Sequence, residues 1–306
     1  MRPGRLPSLP VDPIEPVRRR VAASVVALLA GDDGPGRDAP PRDTATADDP
    51  GLFGPGSATW QVHGDLSMFV GGLRALLLQT LHPLAMAGVA EHSGYRTDPW
   101  GRLHRTGAFV AAITYGTRDA AERSIAGVRR VHERVRGTAP DGRPYAATDP
   151  HLVTWVHVTE VDSFLAAHQR YGARPLDPAA ADRYVAEMAQ VCRALGGEAP
   201  PTTVAELAQW IDRVRPELVV GAQARDAVRF LLVPPVPLAA KAPYGVISAA
   251  AVGLLPAWAR RKLWLPGPPL VDPLVVGPTV RVLLRGLGWA LGPSPHRSAA
   301  EAGTAA

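Results

Sequence analysis

The stretch DPHLVTWVHVTEVDSFLAAHQRY, Asp149 to Tyr171, decides the fold class. Asp149 can accept hydrogen bonds from the free N–H groups of a first helical turn. Pro150, with no N–H to leave unpaired and φ already set, suits the first helical position. Behind that start Val153, His157, Val161 and Phe164 recur at steps of three and four, the spacing of one helix face. The same Asp-Pro start returns at Asp98-Pro99 and Asp177-Pro178. Helical periodicity predicts helices at about 65–81, 83–92, 99–115, 120–136, 150–171, 179–195, 204–214 and 222–232, with a kink where His82 precedes Pro83. No alternating strand pattern of useful length interrupts them, so the expected fold class is all-α, one large helical domain.

Working outward, the run from Gly31 to Gly51 is rich in Asp, Pro and Gly and has no apolar periodicity, which reads as a linker. Residues 17–34 place charge before an apolar stretch, as a signal peptide does. Val21 to Ala30 is short and alanine-rich, however, and lacks a convincing cleavage pattern, so an amphipathic helix is expected. Toward the other end VPPVPL and LWLPGPPLVDP break the periodicity into short helices joined by turns. The last residues are small and polar and should fray. The expected division is an N-terminal helix and linker over 1–50, a helical domain over 51–293 and a tail over 294–306.

A chain of 306 residues with 46% hydrophobic composition can bury a large core without staples. Its only cysteine, Cys192, excludes an intrachain disulfide and reads as a small buried hydrophobe. The formal net charge of +5 comes almost wholly from arginine, Lys241 and Lys262 being the only lysines. No dense basic run is interleaved with aromatics, which argues against a nucleic-acid groove. No window reaches the roughly 20 apolar residues of a membrane span, although Val246 to Leu255 is apolar enough to lie on a membrane or line a channel. The expected location is the cytoplasm, with room for peripheral membrane contact. Glycine-rich phosphate loops, the G-x-S-x-G elbow, H-E-x-x-H and Cys-x-x-Cys are all absent, which disfavours nucleotide and acyl-transfer chemistry.

Polar residues sit on helix faces that otherwise read as buried. Arg102 and Thr106 are one turn apart, on a face continued by Phe109 and Ile113. Within GVRRVHERVRG, Asp119 can cap the helix upstream, Ile125, Val128, Val131 and Val135 form its apolar stripe, and Gly137 ends it. His132 falls on or beside that stripe, while Arg123, Arg130, Glu133 and Arg134 can point to water. A core histidine bonded to a backbone carbonyl explains His132 or His157 taken singly, and pairing with Asp98 explains Arg102. Taken together, inward histidines on long helices with Arg and Thr suit a large flat cofactor held between helices, and heme with one histidine ligand is the candidate.

The ordered segments LLLQTLHPLAMAGVAEHS, DPWGRLHRT, VRRVHERVRG and GRPYAATDPHLVTWVHVTEVDSF closely resemble the MpaB-type oxygenase family, which includes the latex clearing proteins. The resemblance runs from about Trp60 to Tyr171 and continues more weakly to LLPAWARRKLWLP. It implies an all-helical fold with a globin-like core, heme b as cofactor, and oxidative cleavage of carbon–carbon double bonds in isoprenoid chains with dioxygen. Carried over residue by residue, His132 matches the axial iron ligand, and Arg102 and Thr106 match the pair on the oxygen side of the heme. Arg105 stands where latex clearing proteins carry a lysine able to reach the iron, and a guanidinium is a poor iron ligand. His157 is a second cofactor-side candidate, and Glu91 is nearest to the family's distal glutamate. The implied partners are an apolar substrate and dioxygen. A heme- or lipid-binding helical protein without turnover is the alternative from another class.

Overall fold

The computed structural model describes residues 44–266 and 276–292. The expected N-terminal helix, most of the linker and the tail lie outside the described residues. Within them the chain forms α1 (Ala58–His63), α2 (Met68–Gln79), α3 (Pro83–His92), α4 (Pro99–Tyr115), α5 (Arg118–His132), a hairpin of β1 (Arg136–Thr138) and β2 (Pro144–Ala146), α6 (Pro150–Tyr171), α7 (Pro178–Leu195) and α8 (Val204–Val214). A single 3-10 turn (Arg215–Glu217), α9 (Ala222–Leu232), α10 (Leu238–Leu254), α11 (Ala257–Lys262) and α12 (Gly277–Leu291) follow. The all-α expectation holds.

The Asp-Pro starts work as the chemistry requires. Asp98, Asp149 and Asp177 accept hydrogen bonds from the N–H groups of Gly101, His151 and Ala180 at 2.8, 2.9 and 2.7 Å. α6 is the central helix. It lies along α2 and also meets α1, α7, α8 and α10, and buries Trp155, Val158, Val161 and Phe164 among Leu77 and Leu78 of α2 and Tyr184 and Val185 of α7. Gly71 permits the close approach of α2: a Cβ there would stand 2.9 Å from Phe164 Cδ1 and 3.0 Å from the Ser163 carbonyl oxygen. Beside it the buried Arg74 donates to Asp162 Oδ2 at 2.6 Å, Ser163 Oγ at 2.8 Å and the Leu254 carbonyl at 3.0 Å. One guanidinium thereby joins α2, α6 and the end of α10, its charge paired as burial demands.

Several expected boundaries are corrected. α1 was not anticipated, and the helix expected at 65–81 is shorter, Met68–Gln79. Thr117 rather than Asp119 caps α5, its hydroxyl accepting from Ala120 N–H at 3.2 Å. α5 ends at His132 instead of running to Arg136, because the chain turns there into the hairpin, in which Gly137 faces Tyr145. Gly137 is therefore no helix terminator: a Cβ there would lie 2.6 Å from the Tyr145 hydroxyl. The kink before Pro83 is a corner of 108° between α2 and α3.

Candidate functional site

α4 and α5 pack against each other and are joined only by Gly116 and Thr117, so they run antiparallel. At 1.5 Å per residue, Arg102 and His132 both lie about 20 Å from that connection, one on each helix. The hairpin therefore sets the two at the same level. Burial along it is graded. Near the connection Ile113, Thr114, Ala121 and Ile125 are buried, whereas toward the open end Arg102, Phe109, Val128 and His132 are half-buried. Thr106 is exposed, as are Leu103 at 45% and Val131 at 58%. This corrects the expectation that Val131 and Thr106 face the interior, since among the described residues no element covers that end of the hairpin.

His132 keeps the chemistry of a ligand. Burial lowers its pKa, so the ring is neutral at pH 7, and its Nδ1 is buried without a hydrogen-bond partner. His168 shares the partnerless buried Nδ1, but its Nε2 is committed to the Arg174 carbonyl at 2.9 Å. Across the hairpin burial also lowers the pKa of Arg102, with Arg105 adding repulsion and Tyr95 opposing it. The Thr106 hydroxyl donates to the Arg102 carbonyl at 3.0 Å. Arg105 is exposed and turned to Asp98 at 3.1 Å, so Asp98 pairs with Arg105 and not with Arg102.

α3 packs on the β1–β2 hairpin, on α9 and on the start of the central helix. Tyr95, just beyond its end, is the group that raises Arg102's pKa, and a Cβ on Gly88 would lie 3.6 Å from Val135 Cγ1, three residues past His132. The helix is apolar through Ala90, yet only Met86 and Ala87 are buried. Its remaining apolar residues Leu84, Ala85, Val89 and Ala90 pack against three separate apolar clusters, so the apolar surface left at the open end is that of Leu103 and Val131, with Phe109 half-buried against the main core. Glu91 accepts a hydrogen bond from the Tyr145 hydroxyl, and His92 Nε2 lies 3.2 Å from the same oxygen. A cavity of about 1000 Å³ opens elsewhere, between Phe230 of α9 and Trp264, and none of the five predicted site residues lines it.

His157 belongs to the α6–α7 packing rather than to the hairpin. It is 5% exposed, its Nε2 has no hydrogen-bond partner, and burial with the nearby Arg193 charge depresses its pKa to about 3. Next to this packing runs a polar chain absent from the sequence reading. Thr114 donates to the Val110 carbonyl at 2.7 Å, so at 2.8 Å it accepts from His63 Nδ1, whose Nε2 accepts from Tyr184 O–H at 3.2 Å. Burial, with the repulsion of His168, holds His63 at about 3, and burial raises the half-buried Glu160 to about 7. Cys192 is free and buried, as expected, with its thiol pushed up to about 11 by burial.

One further cluster escaped the sequence. His82, His151 and Glu217 bring one ligand atom each within 4.8 Å of one another. They come from the α2–α3 corner, the first turn of α6 and the 3-10 turn, and no local spacing announces them.

The family model described as ER-bound oxygenase mpaB/B'/Rubber oxygenase, catalytic domain, matches residues 60–291. The chain belongs to this oxygenase family. Neither a curated protein nor a solved structure matches it. The matched span begins at Trp60 in α1 and ends at Leu291, the last residue of α12, so the oxygenase domain takes in nearly every described element. Membership makes a small-molecule substrate and dioxygen the partners of this oxygenase. No single described helix is long and apolar enough to cross a membrane, and only the bent pair of α2 and α3 together meets that length and composition.

Proposed function

We propose that this chain is a heme-b-dependent oxygenase that cleaves carbon–carbon double bonds of an apolar, isoprenoid-type substrate with dioxygen. Family membership supports the oxygenase class. The observation that carries the finer reading is His132, a neutral imidazole with a partnerless buried nitrogen, level with Arg102 beside half-covered apolar surface. These residues fit a heme: one neutral nitrogen donor, one cation and the exposed apolar side chains of Leu103 and Val131.

His132 would hold the iron, and Arg102 and Thr106 on the neighbouring helix α4 are the proposed catalytic residues. Heme bound there supplies an iron centre able to react with dioxygen. Arg102 presents a fixed positive charge where negative charge develops on oxygen, and its half-burial strengthens that charge relative to one in water. Thr106, with its proton committed to the Arg102 carbonyl, offers lone pairs. Leu103 and Val131 offer exposed apolar surface on which an apolar chain could lie. Arg105, held by Asp98, acts from the rim by repelling Arg102.

The test is heme retention. His132→Ala should lose stoichiometric heme and its Soret band while keeping helical circular dichroism, since the residue is only half-buried at the end of α5. Full heme with an unchanged spectrum in that variant refutes the assignment and makes His157 the next ligand to test. Oxygen uptake with an unsaturated hydrocarbon separates an oxygenase from a heme- or lipid-binding protein without turnover.

A further inference from the structure

We propose that His82, His151 and Glu217 form a divalent transition-metal site, best matched to Zn²⁺, that pins the α2–α3 corner to the start of α6 and to the turn after α8. The inference is independent of the heme reading, with which it shares no residue.

The argument starts from His82. Its ring is only 2% exposed, yet neither nitrogen makes a hydrogen bond. Leaving a buried imidazole unsatisfied is costly, and an unexplained group of this kind calls for a partner. The ring is held in place by Trp155 and by the His151 ring, at centroid distances of 5.9 and 6.0 Å, and Trp210 lies 5.6 Å beyond His151. Its Nε2 is directed at Glu217, 3.5 Å from Oε2, too far for a good hydrogen bond. His151 Nε2 lies 2.9 Å from the same oxygen. Zinc bonds to nitrogen and oxygen are about 2.1 Å, which at tetrahedral angles sets ligand atoms roughly 3.4 Å apart. The two measured separations bracket that value, and the third pair, the two imidazoles, has its ligand atoms within 4.8 Å.

Donor type and access point the same way. Two imidazoles and a carboxylate suit zinc and its neighbours rather than magnesium or calcium, which favour oxygen. His151 and Glu217 are about two-fifths exposed, which leaves an entry path and room for water at the remaining positions. Arg143, whose charge is felt at His82, is occupied by Asp141, to which it donates at 2.7 and 3.0 Å. The segments concerned are already close, since Val219 N–H donates to the Leu81 carbonyl at 2.9 Å. An ion would therefore lock an existing junction. That junction sets the angle of 108° at which α3 leaves α2.

The test is calorimetric titration of the chelator-treated full chain with Zn²⁺, for wild type and for His151→Ala, Glu217→Gln and His132→Ala. His151 and Glu217 are exposed enough for their variants to fold, and circular dichroism checks this. Wild type and His132→Ala should bind one equivalent with the same affinity, and the melting temperature of both should rise with Zn²⁺. His151→Ala and Glu217→Gln should bind at least tenfold more weakly. Absence of saturable binding at one equivalent overturns the proposal, as does unchanged affinity in the His151 and Glu217 variants. Loss of the zinc in His132→Ala places the ion at the hairpin instead and overturns it equally. Because His132→Ala separates the two sites, a failure of the heme assignment remains distinguishable from a failure of this one.

Discussion

Arg102→Ala is the most informative perturbation of the candidate site. The guanidinium is half-buried on α4, and although burial and Arg105 lower its pKa below the usual guanidinium range, it remains a cation at neutral pH. At an effective dielectric of about 20 and a separation of about 5 Å, it stabilises a unit of negative charge by roughly 3 kcal/mol. That corresponds to roughly 100-fold in rate, the size of effect found when one preorganised donor is removed from a developing oxyanion. The assay is rate per bound heme, measured on preparations whose heme occupancy is determined independently. Arg102→Ala should keep its heme and turn over roughly 100-fold more slowly, and Arg102→Lys should recover part of the loss because the charge returns. Thr106→Val should cost roughly tenfold at most, less than one preorganised donor, because its hydroxyl proton already goes to the Arg102 carbonyl at 3.0 Å. If Arg102 instead anchors an anionic edge of the cofactor, Arg102→Ala lowers occupancy and leaves the rate per heme normal. A normal rate per heme in both variants refutes the oxygen-side role.

Arg74→Met should destabilise the fold by about 3 kcal/mol, the low end for breaking a buried ion pair. Asp162 retains 25% side-chain exposure and can partly rehydrate. Urea unfolding measures this, and adding Asp162→Asn should recover part of the loss. A second expectation concerns acid. His63 and His157 titrate near 3 in the folded chain against an ordinary 6.5, so between those values the unfolded chain binds protons that the native chain refuses. Stability should therefore fall as pH drops through that window, by about 1.4 kcal/mol per pH unit for each histidine. Glu160, raised to about 7, acts in the opposite sense above 4.5, because the native chain then holds the extra proton. The decline should be shallow from pH 6.5 to 4.5 and steeper below, and a urea midpoint that stays flat down to pH 4 contradicts this account.

Local chemistry made much of the fold legible in advance. Asp98-Pro99, Asp149-Pro150 and Asp177-Pro178 marked helix starts because a capping carboxylate and a proline act within one turn of themselves. The limits of α8 and α9 followed equally from residues close in sequence. Pro83 announced the α2–α3 corner, but its angle of 108° belongs to the packed molecule. The candidate site divides in the same way. Helical spacing put Arg102 and Thr106 one turn apart, but the two-residue connection that brings Arg102 level with His132 is a feature of the folded chain. The exposure of Val131 and Thr106 depended on what else covers the hairpin, and Arg105's partner on where its side chain turns. The end of α5 was decided across a hairpin, by Tyr145 facing Gly137. The satisfaction of Arg74 depends on partners from α6 and α10. His82, His151 and Glu217 meet although one lies before α3, one in α6 and one after α8. Helix periodicity states which face of a segment is apolar, but it carries no information about which other segment that face will meet. Contacts between residues far apart in sequence are chosen by packing of the whole chain, so only the tertiary structure could assemble that cluster.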